Sequence, residues 1–562
     1  MVPELTNSRS CIPCLLACAF ILALGGCEQQ PAVDTPTMHV FVDATVWTGN
    51  PQQPFAEAVV VEGNRIAFVG SRAEAVARAP RAEVISAPGG LVVPGFIDSH
   101  VHFLTGGYRL SSVQLRDAST PEEFIRRIGA FAITLDPGEW IVGGDWDHER
   151  WGGLLPDRSW IDSVSADNPV WINRLDGHMA LANSEALRLA DADDPGDVSG
   201  GTVVRDGTGR ITGVFKDNAM SFVDRAIPAT SPVARRRALL AATNYVARQG
   251  VTSVHDVGGA DGEHEALAAL RHEDSLLTRV YLAYPLSDWE SLVEVIEADG
   301  AGDTWLRVGA VKGFVDGSLG SHTAAFFEPF DDAPNDRGLL VVEPESLYVD
   351  LRAADRAGLQ LMIHAIGDRA NATLLDLYER LGEEEGARDR RSRIEHAQHV
   401  RREDIGRFAE LGVIASMQPY HAIDDGRWAD KVIGAERAQT TYAFRSLIDE
   451  GAHVAFGSDW FVAPPTPLEG IYAAVTRRTL DSLNEEGWVP EQKIDLGEAL
   501  ASYTREAAFA EFQEGNKGTI ETGKLADIVV LNRNLFDVPA ETIADTRVLL
   551  TMVDGDVVFR EN

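Results

Sequence analysis

Cysteine is nearly missing from this chain. The four present, Cys11, Cys14, Cys18 and Cys27, all precede residue 28. A disulfide framework or a thiolate-held zinc in the body of the protein is therefore excluded. Basic residues are scarce too: 50 Lys and Arg stand against 86 Asp and Glu, a formal net charge of −36. Phosphate-backbone binding needs the opposite balance, so no nucleic-acid partner is expected. Anionic membranes and anionic substrates are repelled at long range, within the limits of salt screening. Beyond the first residues no apolar run is long enough to span a bilayer, and no solenoid-type repeat argues for a scaffold.

The one long apolar run is Cys11-IPCLLACAFILALGG-Gly26, which ends in small residues as a secretory signal does. Leu24-Gly25-Gly26-Cys27 is similar to a bacterial lipobox, which implies cleavage before Cys27 and lipidation of its thiol. Only Arg9 supplies positive side-chain charge ahead of the run and Glu4 offsets it, so an ordinary signal peptide or an uncleaved anchor stays open. The expectation is an exported protein, periplasmic or membrane-attached, touching a membrane only through a lipid anchor. Residues 27–37 read as a tether.

With 45% hydrophobic and 24% charged residues, the remainder has the mixture of a folded soluble chain. Short β-branched segments separated by turn residues fill 38–90, and the same texture returns over 506–562. Separate β units would leave unpaired edges, so the two are expected to join in one small β-sandwich. Between them, over 91–505, helices closed by Gly250, Gly358, Gly412 and Gly451, the first two opened by Ser231-Pro232 and Pro344, each precede an apolar strand. That alternation predicts parallel β/α architecture. Eight strand segments are counted: PGFIDSHVH, PVWINRLDGH, VTSVHDV, RVGAVKGFVDG, LQLMIHAIGD, RIEHAQ, VIASMQP and HVAFGSD. The predicted fold class is α/β, a (β/α)8 TIM barrel carrying the sandwich built from both chain ends. An insertion is expected at about 140–215.

Barrel enzymes place their chemistry at the C-terminal ends of the strands. There stand His100 and His102, two residues apart and so on one strand face, then Lys312, His364, His396 and Asp459. Each alone has a bland reading: Lys312 pairing with Asp316, Asp459 capping a helical turn. Together they put four imidazoles, a lysine and a carboxylate into a small volume, where charge is costly unless paired. A divalent cation would offset that cost, and neutral imidazole with carboxylate suits Zn2+. A bound cation lowers the pKa of water towards neutrality, giving a metal-bound hydroxide, and Asp459 would accept the proton. Lys312 would have to lose its proton to join, and could then carry CO2 as a carbamate between two metals.

The segments PGFIDSHVHF, VKGFVDGSLGSHTAAF, HAIGDRA, RIEHAQ, ASMQPYHAIDD, FGSDW and GKLADIVVL occur in the order of the amidohydrolase superfamily. From about Met38 onward the chain resembles its YtcJ-like, amidohydrolase 3 branch, some members of which deformylate N-substituted formamides. The resemblance implies a barrel with a β-sandwich, one or two zinc-like ions, and hydrolysis of non-peptide amide, formamide or cyclic amide C–N bonds in a small molecule. His178 matches a recurrent family position and is expected to contact the substrate carbonyl. His322 and His421 are expected to rim the pocket. Trp146, with Trp151 and Trp460, would wall it, although a core role is the commoner one for tryptophan. His255 is expected to bond Asp256, His399 to face away from the metal, and Asp98 to support His100 from behind. The same centre would also serve an ester, lactone or phosphotriester. A non-catalytic lipid-tethered binding protein is disfavoured because all six centre positions are kept. A homodimer is the assembly considered.

Overall fold

A computed structural model describes residues 37–259 and 262–561. The signal-like run, the tether and Cys27 lie outside the described residues. None of the described helices is long and apolar enough to cross a membrane.

Eight parallel strands form one sheet: β1 (Phe96–Val101), β2 (Val251–Asp256), β3 (Arg279–Pro285), β4 (Leu306–Phe314), β5 (Gln360–Ala365), β6 (Arg393–His396), β7 (Ile414–Met417) and β8 (Val454–Phe456). They follow one another round the sheet in chain order, as expected when each helix returns the chain to the next position. The cylinder closes just beyond β8. The Asp459 N–H donates to the His100 carbonyl at 2.7 Å and the His102 N–H to the Trp460 carbonyl at 2.6 Å, with a parallel bridge from Val101 to Trp460. The glycines read as helix stops all take left-handed backbone, Gly250 at φ 81°, Gly358 at 85°, Gly412 at 65° and Gly451 at 84°.

Eight is the expected number, but one member differs. The PVWINR segment, Val170–Arg174, is no barrel strand. It pairs in parallel with Ile141–Trp146 and antiparallel to Met179–Ala182 in a separate six-stranded sheet. Its fully buried apolar run fits either sheet, because a short apolar segment does not reveal which neighbours bury it. The barrel strand in its stead is β3. The helix before it, Glu263–His272, ends without glycine; Asp274 takes the left-handed backbone there at φ 51°.

The six-stranded sheet is the insertion, and it is wider than 140–215. It begins at Val113 and ends at Asp217. Of its two apolar clusters, one draws only on this segment, with Phe124, Trp146, Ile172 and Leu181, and the other joins Trp171, Leu187 and Phe215 to Ala219 and Val223 just beyond it. Polar contacts dock it over the barrel mouth. Lys216 Nζ donates to the Ser321 carbonyl at 2.7 Å, Ser318 and Ser321 bond Asp176, and Arg116 donates to the carbonyls of Phe461 and Val462.

The sandwich joins the two chain ends. Strand Leu91–Pro94 pairs antiparallel with Ile528–Leu531, and Phe41, Val59, Val92, Ile528, Leu550 and Met552 fill the space between the two sheets. Gly95 carries the chain from this sheet into β1. A Cβ there would meet Thr252 Oγ1 at 2.2 Å, so only glycine lets β2 approach.

The barrel interior is strongly polar. Arg393 and Glu395, two apart on β6, share its inner face. Arg393 Nε lies 2.7 Å from Glu395 Oε1, Nη1 lies 2.8 Å from His255 Nδ1 and Nη2 donates to Ser416 Oγ at 2.8 Å. His255 Nε2 in turn lies 3.2 Å from Glu511, which pairs with Lys517 at 2.6 Å. His255 is therefore bound to Arg393 and Glu511, not to Asp256, whose carboxylate accepts the N–H groups of Phe103 and Gly258.

Candidate metal centre

His100 ends the inner face of β1 below His102, and Lys312 and His364 end the inner faces of β4 and β5. His396 breaks the alternation: one residue beyond Glu395, it should point outward. Its backbone at φ 74° turns it back to the mouth, and Asp459 after β8 does the same at φ 59°. Left-handed backbone at non-glycine residues costs of order 1–3 kcal/mol each and persists only where surrounding structure enforces it.

These residues converge. Ring centroids are 5.8 Å apart for His102 and His100, 4.9 Å for His100 and His396, and 4.5 Å for His396 and His364. Lys312 Nζ lies 3.4 Å from His100 Nε2. Asp459 Oδ1 is 3.3 Å from His102 Nε2 and 3.5 Å from His100 Nε2, yet this buried oxygen has no hydrogen-bond partner. An orphaned carboxylate oxygen facing imidazole nitrogens is what a cation would satisfy. Among the described residues, His100, His396 and Asp459 bring ligand atoms within 4.8 Å of one another. His364 turns Nε2 to the Gly317 carbonyl at 3.1 Å, and His102 and Lys312 stand beside the trio.

The electrostatics favour ligation. Burial holds His100, His364 and His396 well below the ordinary imidazole range, so their lone pairs are free. Burial also pushes Lys312 down to about 8, against the pull of Glu395 and Asp459. For Asp459 burial works against ionisation, but the facing imidazoles of His102, His100 and His421 together outweigh it and hold the carboxyl well below its usual range. Supporting bonds fix the ligands: His100 Nδ1 to Glu395, and His396 Nδ1 to Gln418 Oε1 at 2.8 Å. Asp98 accepts the Ser458 N–H at 2.8 Å, tying β1 to the turn that carries Asp459. Asp316 does not pair with Lys312; it accepts the N–H groups of Ala325, Ile366 and Gly367.

A cavity of about 170 Å³ opens onto His396 and Asp459, with His100 buried behind them. His178 and His421 line it as expected, His178 from the insertion turn and His421 from the first turn after β7. His322 does not line it. Its Nε2 is bonded to Asp332 at 3.0 Å. His399 faces away, bonded to Thr441 Oγ1 at 2.8 Å. Trp146 is also misassigned as a substrate contact. It is fully buried in the insertion core, where Nε1 donates to the Ile172 carbonyl at 2.9 Å. Trp151 packs at the edge of that core, and Trp460 packs on Phe103 and Tyr245. The aromatic walls are instead Phe314, Phe461 and Trp428, with Arg174, Asp176 and Asp425 as the polar ones. Sequence order gave no sign of these, because the turn around Arg174–Asp176 reaches the cavity only through the docked insertion.

Trp146→Phe is expected to lower stability by about 1–3 kcal/mol through the orphaned Ile172 carbonyl. Turnover per folded molecule should be unchanged; a selective loss would return Trp146 to the binding site.

The amidohydrolase 3 model, for the amidohydrolase family, matches residues 83–559. The chain is 39% identical over 534 residues to Protein LONG AFTER FAR-RED 3 of Arabidopsis thaliana, covering 92% of this chain and 91% of that protein. It is 29% identical over 545 residues to N-substituted formamide deformylase of Arthrobacter pascens, covering 92% and 97%. An uncharacterized metal-dependent hydrolase from Pyrococcus horikoshii OT3 superposes with a TM-score of 0.73 at 28% identity, covering 90% of this chain and 99% of that one. The chain belongs to the amidohydrolase family, in its YtcJ-like amidohydrolase 3 branch, and is a hydrolase of that metal-dependent kind.

Proposed function

We propose that the protein hydrolyses a carbon–nitrogen bond of a small non-peptide amide, formamide or cyclic amide. The observation that carries this reading is the meeting of two facing groups across one cavity: His396 and Asp459 on the barrel, with His100 buried behind them, and His178 on the insertion. The similarity to a protein named as a formamide deformylase supports the bond type.

His100, His396 and Asp459 would hold the cation, flanked by His102, His364 and Lys312. Zn2+ is the ion such donors suit. When bound, the ion would lower the pKa of water and polarise a carbonyl. A carbamate on Lys312 is the form in which that side chain would join the ligands, with one or two ions accommodated. The chain's own residues supply the rest. Asp459 accepts the proton of the attacking water, and His178 hydrogen-bonds the substrate carbonyl oxygen as charge builds there. Asp459 then returns the proton to the departing nitrogen as the C–N bond breaks, leaving a carboxylic acid and an amine. Phe314 and Phe461 offer apolar surface to the N-substituent. Export with lipid attachment at Cys27 is part of the same proposal, supported by Leu24-Gly25-Gly26-Cys27.

A panel of N-formyl amines, N-acyl amines, cyclic amides, esters, lactones and a phosphotriester tests the bond type. Amine release from the nitrogen-containing members is expected to exceed hydrolysis of the oxygen esters. Turnover confined to esters or the phosphotriester would overturn it.

A further inference from the structure

Asp217 carries two unfavourable features, and its side chain does not cap the helical turn that follows it. It ends the insertion strand Ile211–Asp217 with φ 46° and ψ −127°, left-handed backbone at a residue with a side chain. Such backbone is strained at any residue but glycine. Its side chain is only 2% exposed, and Oδ2 is buried with no hydrogen-bond partner. Features of this sort persist where something else over-determines them.

What Asp217 gains is His178. Oδ1 lies 2.7 Å from His178 Nδ1, and the Asp217 backbone N–H donates to the His178 carbonyl at 3.0 Å. The neighbouring turn leaves room for this bond. A Cβ on Gly317 would lie 2.6 Å from Asp217 Oδ1. A nitrogen facing a carboxylate at that distance must carry the proton, so Nδ1 is committed as donor and Nε2 is the atom presented to the cavity. The ring then sits 4.9 Å from His364 and 6.4 Å from Phe314, centroid to centroid.

We infer that Asp217 is the positioning residue for His178: its carboxylate and strained backbone hold the imidazole with Nε2 aimed at the reacting carbonyl. Both residues lie on the insertion, so the pair is assembled there and delivered to the barrel by docking. The inference rests on the reading of His178 as a carbonyl contact, and the two are separable by experiment.

The test combines a double-mutant cycle with a spectrum. His178→Ala, Asp217→Ala, Asp217→Asn and the double His178→Ala/Asp217→Ala are assayed on the best substrate of the panel, each checked for metal content and folding. His178→Ala is expected to lose about 10²-fold or more in kcat, the usual cost of removing one donor to a developing oxyanion. Asp217→Ala should lose nearly as much, with little change in KM, and the double variant should be no worse than His178→Ala alone. Asp217→Asn, which keeps an acceptor in place, should recover part of the loss and still fold if Asp217→Ala does not. Losses that multiply in the double variant, or full activity in both Asp217 variants while His178→Ala is impaired, would overturn the inference. The 15N spectrum of labelled histidine reads positioning apart from turnover: the His178 Nδ1–H signal should be present in the parent protein and lost or shifted in Asp217→Ala. An unchanged signal overturns the positioning role. Full activity of His178→Ala with that signal lost in Asp217→Ala overturns the carbonyl contact and leaves the positioning standing.

Discussion

Asp459→Asn is expected to lower kcat by about 10²–10⁴-fold, the range in which a positioned proton acceptor contributes, while KM stays within a few-fold and bound metal remains. The amide keeps the size of the side chain and an oxygen for ligation, but it cannot take a proton. In this structure the carboxylate is ionised at working pH, and its Oδ1 is buried 3.3 Å from His102 with no bond of its own. Such an oxygen is free both to hold a cation and to take up a proton. Metal analysis beside kinetics separates the two uses. Loss of turnover with metal retained assigns the proton, whereas loss of both in proportion assigns ligation alone. Undiminished turnover of any substrate of the parent protein would refute the role altogether.

The second large effect lies beneath the cavity. Arg393→Met should destabilise the fold by about 3–5 kcal/mol, because it leaves buried charge without its partner. Arg393 is fully buried and touches Glu395, His255 and Ser416. Methionine fills much of its volume but offers none of its donors, so the Glu395 carboxylate is left in the barrel interior with His100 alone. Denaturant midpoints at unchanged slope give the measurement. Adding Glu395→Gln to Arg393→Met should restore part of the loss, since it removes the stranded charge. If Arg393→Met costs under about 1 kcal/mol, the value of an exposed pair, the network does not carry the stability assigned to it.

The candidate trio was legible in the sequence because it sits at strand ends, and strand ends are marked by apolar runs followed by a change of character. His100, His364 and Lys312 needed only the period-two alternation of a strand. His396 and Asp459 face the cavity for another reason, left-handed backbone, which no residue pattern announces when the residue is not glycine. Barrel membership was harder. Val170–Arg174 and Arg279–Pro285 are equally apolar, and what separates them is which neighbours they pair with across the fold. The missing glycine before β3 removed the punctuation that marked other strands, with Asp274 adopting the backbone a glycine would have supplied. The tryptophans failed as pocket markers for a simple reason: a large ring is worth most where it is wholly covered, and Trp146 is. Asp217 and Asp176 were invisible because the insertion reaches the cavity by docking. The distance in sequence from β4 to Asp217 says nothing about the contact.

The join between the first and last staves of the barrel is made by main-chain atoms of His100, His102, Asp459 and Trp460, three of which also turn side chains toward the trio or belong to it. An ion gripped by His100 and Asp459 would thus act as a rivet across that join. Stripping it should let the cylinder breathe at this one line before anywhere else, with amide protons of Asp459 and His102 exchanging sooner than those of the other staves.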